Sequence, residues 1–129
     1  MTIVVGYIPT AEGEAALTRA IEESRTRKER LIVINSSRGD AYVDKRFVQP
    51  EEAESLEERL AAAGVDYQLQ QPLRGHDASD EVLSAAEEHG AGLIVIGLRK
   101  RTPVGKMIMG STAQSILLQA ECPVLAVKA

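Results

Sequence analysis

Five short apolar runs divide the chain: Ile3 to Ile8, Leu31 to Ile34, Val65 to Leu69, Leu93 to Ile96 and Val124 to Val127. Most are rich in Val and Ile. The first, second, fourth and fifth are nearly continuous in apolar residues, the pattern of strands covered on both faces of a parallel sheet. The third, Val65-Asp66-Tyr67-Gln68-Leu69, alternates, as an edge strand with one wet face does. Between the runs the spacing becomes helical. Ala15, Ala16, Ala20 and Ile21 mark a first helix; Ala53, Leu56, Leu60 and Ala63 mark a second, which Gly64 stops. A third runs from about Ala78 to His89, with Asp77 as N-cap, Asp80 and Glu81 at the positive end of its dipole, and Gly90 as its stop. A fourth runs from Thr112 to Gln119, carries Ile116, Leu117 and Ala120 in its pattern, and breaks at Glu121-Cys122-Pro123.

The order β-α-β-α-β-α-β-α-β predicts an α/β fold, one domain over residues 1–129, built on an open doubly wound parallel sheet. Ligands of such sheets sit beyond the carboxyl ends of strands, where the strand order reverses. The segments after Ile8, Ile34 and Ile96 are such ends. Both long connections, Asn35 to about Val48 and Leu98 to Met109, leave carboxyl ends, and long loops placed there tend to carry function.

The second connection holds the densest chemistry. Gly97 to Ser111 reads GLRKRTPVGKMIMGS and gathers Arg99, Lys100, Arg101 and Lys106 in a chain of net charge -4. It closes with Gly110-Ser111 at a helix start, where unpaired N–H groups and the dipole favour an anion. Ser111 can cap that helix or offer its hydroxyl to a phosphate. Two readings stay open: an anion site, or turn glycines with a capping serine and a solvated basic face. A Walker A loop is excluded, because Met107 follows Gly105-Lys106 and Lys100 stands where the first glycine belongs.

Composition narrows the classes. Aromatics are 3% with no Trp, which disfavours base-stacking single-strand binders, and the negative net charge disfavours duplex DNA. No apolar run approaches the roughly 20 residues of a membrane span. The start, Met1-Thr2-Ile3-Val4-Val5, lacks a basic signal region, and the single Cys122 suits a reducing compartment, so a cytoplasmic protein is expected. Cys122, between Glu121 and Pro123 with no nearby His, reads as a packed thiol rather than a nucleophile. His76 and His89 are isolated, so no metal site is expected. Glu51, Glu52, Glu54, Glu57 and Glu58 read as a solvated acidic face, and Arg25, Arg27, Lys28 and Arg30 as cations at the negative end of the first helix. No nucleophile–base–acid constellation stands out, which weighs against an enzyme beyond slow ATP hydrolysis.

Taken together the residues resemble the universal stress protein family along essentially the whole chain. The likeness is carried by Ile3-Val4-Val5-Gly6, by Asp77 with the run Glu87-Glu88-His89-Gly90-Ala91-Gly92-Leu93-Ile94-Val95-Ile96-Gly97, and by Gly110-Ser111-Thr112-Ala113 with Cys122-Pro123-Val124-Leu125-Ala126-Val127. The resemblance implies an adenine nucleotide alpha hydrolase-like fold (HUP, Rossmann-like) with strand order 3-2-1-4-5. It also implies a homodimer formed by antiparallel pairing of the last strand, Val124 to Val127. Nucleotide-binding members carry a glycine, two residues, a second glycine, nine residues, then Gly-Ser or Gly-Thr. Gly97 and Gly110-Ser111 match, and Lys100 takes the place of the second glycine. ATP-binding relatives end the first strand in an Asp that contacts the adenosine part; Ile8 stands there in this chain. The family also has members that do not bind ATP, and they typically lack parts of this motif.

The implied site therefore places adenine near Ile8 and Ser36. The phosphates would lie at Gly97 and Gly110-Ser111-Thr112, with Arg99 and Lys100 adding charge. The ligand would be ATP or another adenine nucleotide, with Mg²⁺ only beside ATP. The implied role is stress response. The alternative is a stress or signalling module that holds no nucleotide and acts through dimerisation and protein contacts. A nucleotide-dependent transferase ranks third.

Overall fold

The computed structural model describes residues 1–35, 50–70, 78–98 and 110–129, apart from the side chains of 50–55. Its elements are β1 (Thr2–Gly6), α1 (Ala11–Arg27), β2 (Arg30–Ile34), α2 (Pro50–Ala62), β3 (Tyr67–Gln70), α3 (Ala78–His89), β4 (Ala91–Leu98), α4 (Ser111–Gln119) and β5 (Val124–Lys128). The five strands form one sheet in the order β3-β2-β1-β4-β5, every neighbouring pair parallel. The expected order holds, and the alternating third strand is an edge.

Layering follows from strand periodicity. Ile3 and Val5 of β1, Leu31 and Val33 of β2, and Leu93 and Val95 of β4 face one side and pack with Ala16, Leu17 and Ala20 of α1 and Leu56 and Leu60 of α2. Val4, Ile32, Ile34, Ile94 and Ile96 face the other side and meet Val82 and Ala85 of α3 and Ala113 and Ile116 of α4. Leu17, Leu60 and Ile116 are essentially fully buried. Each such side chain contributes about 1.5–3 kcal/mol by leaving water.

Boundaries differ from the apolar runs in informative ways. β1 ends at Gly6. Tyr7 still donates its N–H to the Ile34 carbonyl at 2.8 Å, but Thr10 then donates to the Ile8 carbonyl at 2.8 Å and turns the chain into α1. β3 begins at Tyr67, two residues after the start of the apolar run, and continues to Gln70. β4 extends through Gly97 to Leu98, because β5 pairs with it as far as Leu98 opposite Lys128. Gly97 therefore lies within the strand. Lys28 is the left-handed C-cap of α1 (φ 56), and Arg30 already belongs to β2. Gly64 (φ +74) and Gly90 (φ +61) stop α2 and α3 as expected, in a conformation that side chains resist.

Candidate functional site at the β1 and β4 carboxyl ends

β1 and β4 are adjacent, yet the chain leaves them for opposite faces of the sheet. This is the switch point, and three built structures surround it.

The first is a tie between β1 and β2. Asn35, directly after β2, is completely buried. Its side-chain Nδ2 donates to the Tyr7 carbonyl at 2.8 Å, and its backbone N–H donates to the Gln70 carbonyl at 3.0 Å. One side chain thus fixes the exit of β1, while its own backbone holds the edge strand. The sequence marks Asn35 only as the start of the long connection that leaves β2. The available signal is a polar residue closing an apolar run at a carboxyl end.

The second is the first turn of α1, which is wedged into the switch point. Thr10 is its N-cap, and its Oγ1 accepts from the Gly13 N–H at 3.1 Å. A Cβ on Gly13 would lie 1.8 Å from the Ile8 carbonyl oxygen, and a Cβ on Gly97 would lie 2.0 Å from the Glu12 carbonyl oxygen. Backbone therefore meets backbone on both sides of this turn. The space that Gly97 leaves open is taken by α1, so its lack of a side chain is explained by helix packing. Ile8, half-buried, begins the turn that leads into α1. The helix carries Glu12 and Glu14 in its first turn. Glu14 accepts from the Tyr7 hydroxyl at 3.0 Å and pairs with Arg59 of α2 at 2.8 Å.

The third is the start of α4. Ala113 lies in the same apolar cluster as Ile96, with Leu98 packed against it, so the helix begins beside the end of β4. α1 and α3 bear carboxylates in their first turns (Glu12 and Glu14; Asp80 and Glu81), whereas α4 bears none. Its N-cap is Gly110, which has no side chain to cap the helix. Ser111 and Thr112 are exposed in the first turn. The reading of a turn glycine with a capping serine is corrected here. Ser111 is the first helical residue rather than the cap, because Gly110 itself adopts the extended cap geometry. Gly110, at φ -64 and ψ 156, is in an ordinary conformation, and a Cβ there would meet nothing within 4 Å, so no strained turn demands glycine.

Of the residues expected in the site, Ile8, Gly97, Gly110, Ser111 and Thr112 are described, and they stand around the switch point. Ser36, Arg99 and Lys100 lie outside the described residues, as do Arg101, Lys106, His76 and Asp77. Among the described residues no group of three His, Cys, Asp or Glu side chains could hold a metal, and no helix is long and apolar enough to cross a membrane. Burial pushes the Cys122 thiol up, away from the reactive thiolate. The basic end of α1 is largely engaged. Arg19 and Arg27 both bind Glu23, and Arg25 donates to the Ala63 carbonyl at 3.1 Å. Arg30 donates to the Gln68 side chain at 2.9 Å. These cations are accounted for within the fold.

Residues 1–128 match the universal stress protein family. The chain belongs to this family. A universal stress protein of Mycolicibacterium smegmatis is 48% identical over 126 residues, covering 98% of this chain and 96% of that protein. A universal stress protein structure from Archaeoglobus fulgidus superposes with a TM-score of 0.80 at 32% identity, covering 99% of this chain and 98% of that one. A second structure, of the universal stress protein from the same organism in complex with dAMP, superposes with a TM-score of 0.68 at 26% identity over 99% and 98% of the two chains. The adenine nucleotide alpha hydrolase-like fold is thus common to this universal stress protein and its solved relatives.

Proposed function

We propose that this universal stress protein is a cytoplasmic stress-response protein that binds an adenine nucleotide across the β1/β4 switch point. The carrying observation is the start of α4. It stands at the end of β4, bears no first-turn carboxylate, and presents Ser111 and Thr112 to solvent. N–H groups and hydroxyls there suit a phosphate. Ile8 offers apolar contact to the base, and Ser36 lies just past the β2 end that Asn35 ties to β1. Arg99 and Lys100, in the connection from β4 to α4, supply further positive charge. The relative in complex with dAMP supports an adenine nucleotide as the ligand class. An isoleucine side chain accepts no hydrogen bond, so affinity is modest and the base end of the site adds little selectivity among nucleotides. Mg²⁺ would enter only with ATP.

The protein works as a homodimer through β5. Val124 to Val127 are half-buried along the edge of the sheet opposite β3, and an apolar edge invites pairing with its own copy. A second reading is favoured by Ile8 and by the filling of Gly97's open face: a module that holds no nucleotide and acts through dimerisation and protein contacts.

Calorimetric titration with AMP and ATP decides between them. The pair Gly110→Val with Ser111→Ala should abolish binding while circular dichroism stays unchanged. Ile8→Asp should tighten ATP. No heat from any adenine nucleotide would favour the second reading, and binding untouched by the double change would move the site elsewhere.

A further inference from the structure

Glu12 is the first-turn carboxylate of α1 that the pairing network leaves over. Its neighbour Glu14 is neutralised by Arg59 and held by the Tyr7 hydroxyl. Glu12 has no cation paired with it among the described residues, and it is half-buried rather than free in solvent. The root of its side chain is placed by backbone packing. The Glu12 carbonyl lies against the open face of Gly97, and the Glu12 Cβ stands 3.0 Å from where a Gly97 Cβ would be. Helical Cα–Cβ bonds tilt toward the helix N-terminus. For α1 that direction is the carboxyl end of the sheet, the side on which the proposed ligand lies.

We infer that Glu12 is a specificity residue of the proposed nucleotide site, a negative charge that penalises each added phosphate and so selects short-tailed adenine ligands, adenosine monophosphates, over ATP. This rests on the nucleotide reading above and adds the substrate class to it. The physics is like-charge repulsion, which weakens with distance and with salt. The base end of the ligand carries no charge and is indifferent to Glu12. The phosphate end is not, and its penalty grows with its charge. Glu12 also favours the positive end of the α1 dipole. That structural role acts equally on every ligand and cannot alter their ranking.

The test is equilibrium binding of adenosine, AMP and Mg²⁺-free ATP to the unaltered protein, to Glu12→Gln and to Glu14→Gln, each at low and high salt. Glu12→Gln keeps the shape and removes the charge. It should tighten ATP by about tenfold, AMP by less and adenosine not at all, and the ATP gain should shrink in high salt. Glu14→Gln, whose charge is already met by Arg59, should leave the ranking of the three ligands unchanged. Equal effects of Glu12→Gln on all three ligands, or no effect, would overturn the inference while leaving the nucleotide site standing. Equal shifts from Glu12→Gln and Glu14→Gln would overturn it too, by showing a field of the whole molecule. Failure of all three proteins to bind any of the ligands would overturn the nucleotide reading and this inference with it.

Discussion

Replacing Gly97 with alanine tests how the switch point is built. The added Cβ would lie 2.0 Å from the Glu12 carbonyl oxygen and 2.5 Å from its carbonyl carbon. A relaxed carbon–oxygen contact is about 3.3 Å, so β4 and the first turn of α1 must separate by roughly 1.3 Å. Neither yields easily. β4 is bonded to β1 and β5, and α1 buries Ala16, Leu17 and Ala20 against the same sheet. On its other side the turn touches the Ile8 carbonyl through Gly13. Overpacking of this kind costs about 1–3 kcal/mol, and backbone-to-backbone contact belongs at the upper end. Relieving a strand glycine returns at most about 1 kcal/mol. The net expectation is a loss of about 2 kcal/mol, or roughly 6–10 °C in Tm for a chain of this length. Gly110→Ala is the control. It meets nothing within 4 Å at an ordinary φ and should lose only the cap preference of glycine over alanine, about 0.5–1 kcal/mol. Urea unfolding followed by circular dichroism gives both numbers. A Gly97→Ala variant within about 0.5 kcal/mol of the parent, or one no worse than Gly110→Ala, would refute the packing argument.

Other consequences are as direct. Asn35→Ala should cost about 1–3 kcal/mol in the same unfolding assay, because it strips the Tyr7 carbonyl of its side-chain donor and leaves a void in a fully buried place. The hydrogen bonds of Arg27 and Arg19 hold the Glu23 carboxyl below its usual value, so its stabilising contribution is complete above the unfolded carboxylate pKa and disappears as pH falls through the lower folded one. Glu23→Gln should therefore cost about 0.5 kcal/mol at neutral pH, and its difference from the parent should vanish in acid. Leu125→Lys should shift the protein toward monomer in light scattering; a parent that is already monomeric at micromolar concentration would remove the β5 pairing.

The sheet is legible because its strands announce themselves. Ile3-Val4-Val5, Leu31-Ile32-Val33-Ile34 and Leu93-Ile94-Val95-Ile96 run unbroken, as residues must in a layer covered on both faces. The alternation around Tyr67 and Leu69 marks the uncovered edge for the same reason. The resemblance supplies the strand order, which periodicity alone does not fix. The site is less legible, because its decisive contacts are non-local. A glycine in a row of apolar residues shows that a side chain is missing at Gly97, but nothing near it in sequence shows that Glu12 fills the gap. Ser111 reads as a cap because serine prefers that role, yet glycine can take it, and the cap falls one residue earlier than preference suggests. Asn35 gives only a faint local signal, a polar residue closing an apolar run, and Glu12 gives none, because a Glu in a first helical turn is ordinary. Their importance comes from what the fold brings to them.

Residue-resolved NMR of the amide groups during titration with AMP tests the central claim most directly. The account predicts the largest shifts at Ser111 and Thr112, with smaller ones at Ile8 and Gly97, and little change along β3 and the far end of α1. Shifts clustered away from the β1/β4 switch point, or none at saturating AMP, would contradict it.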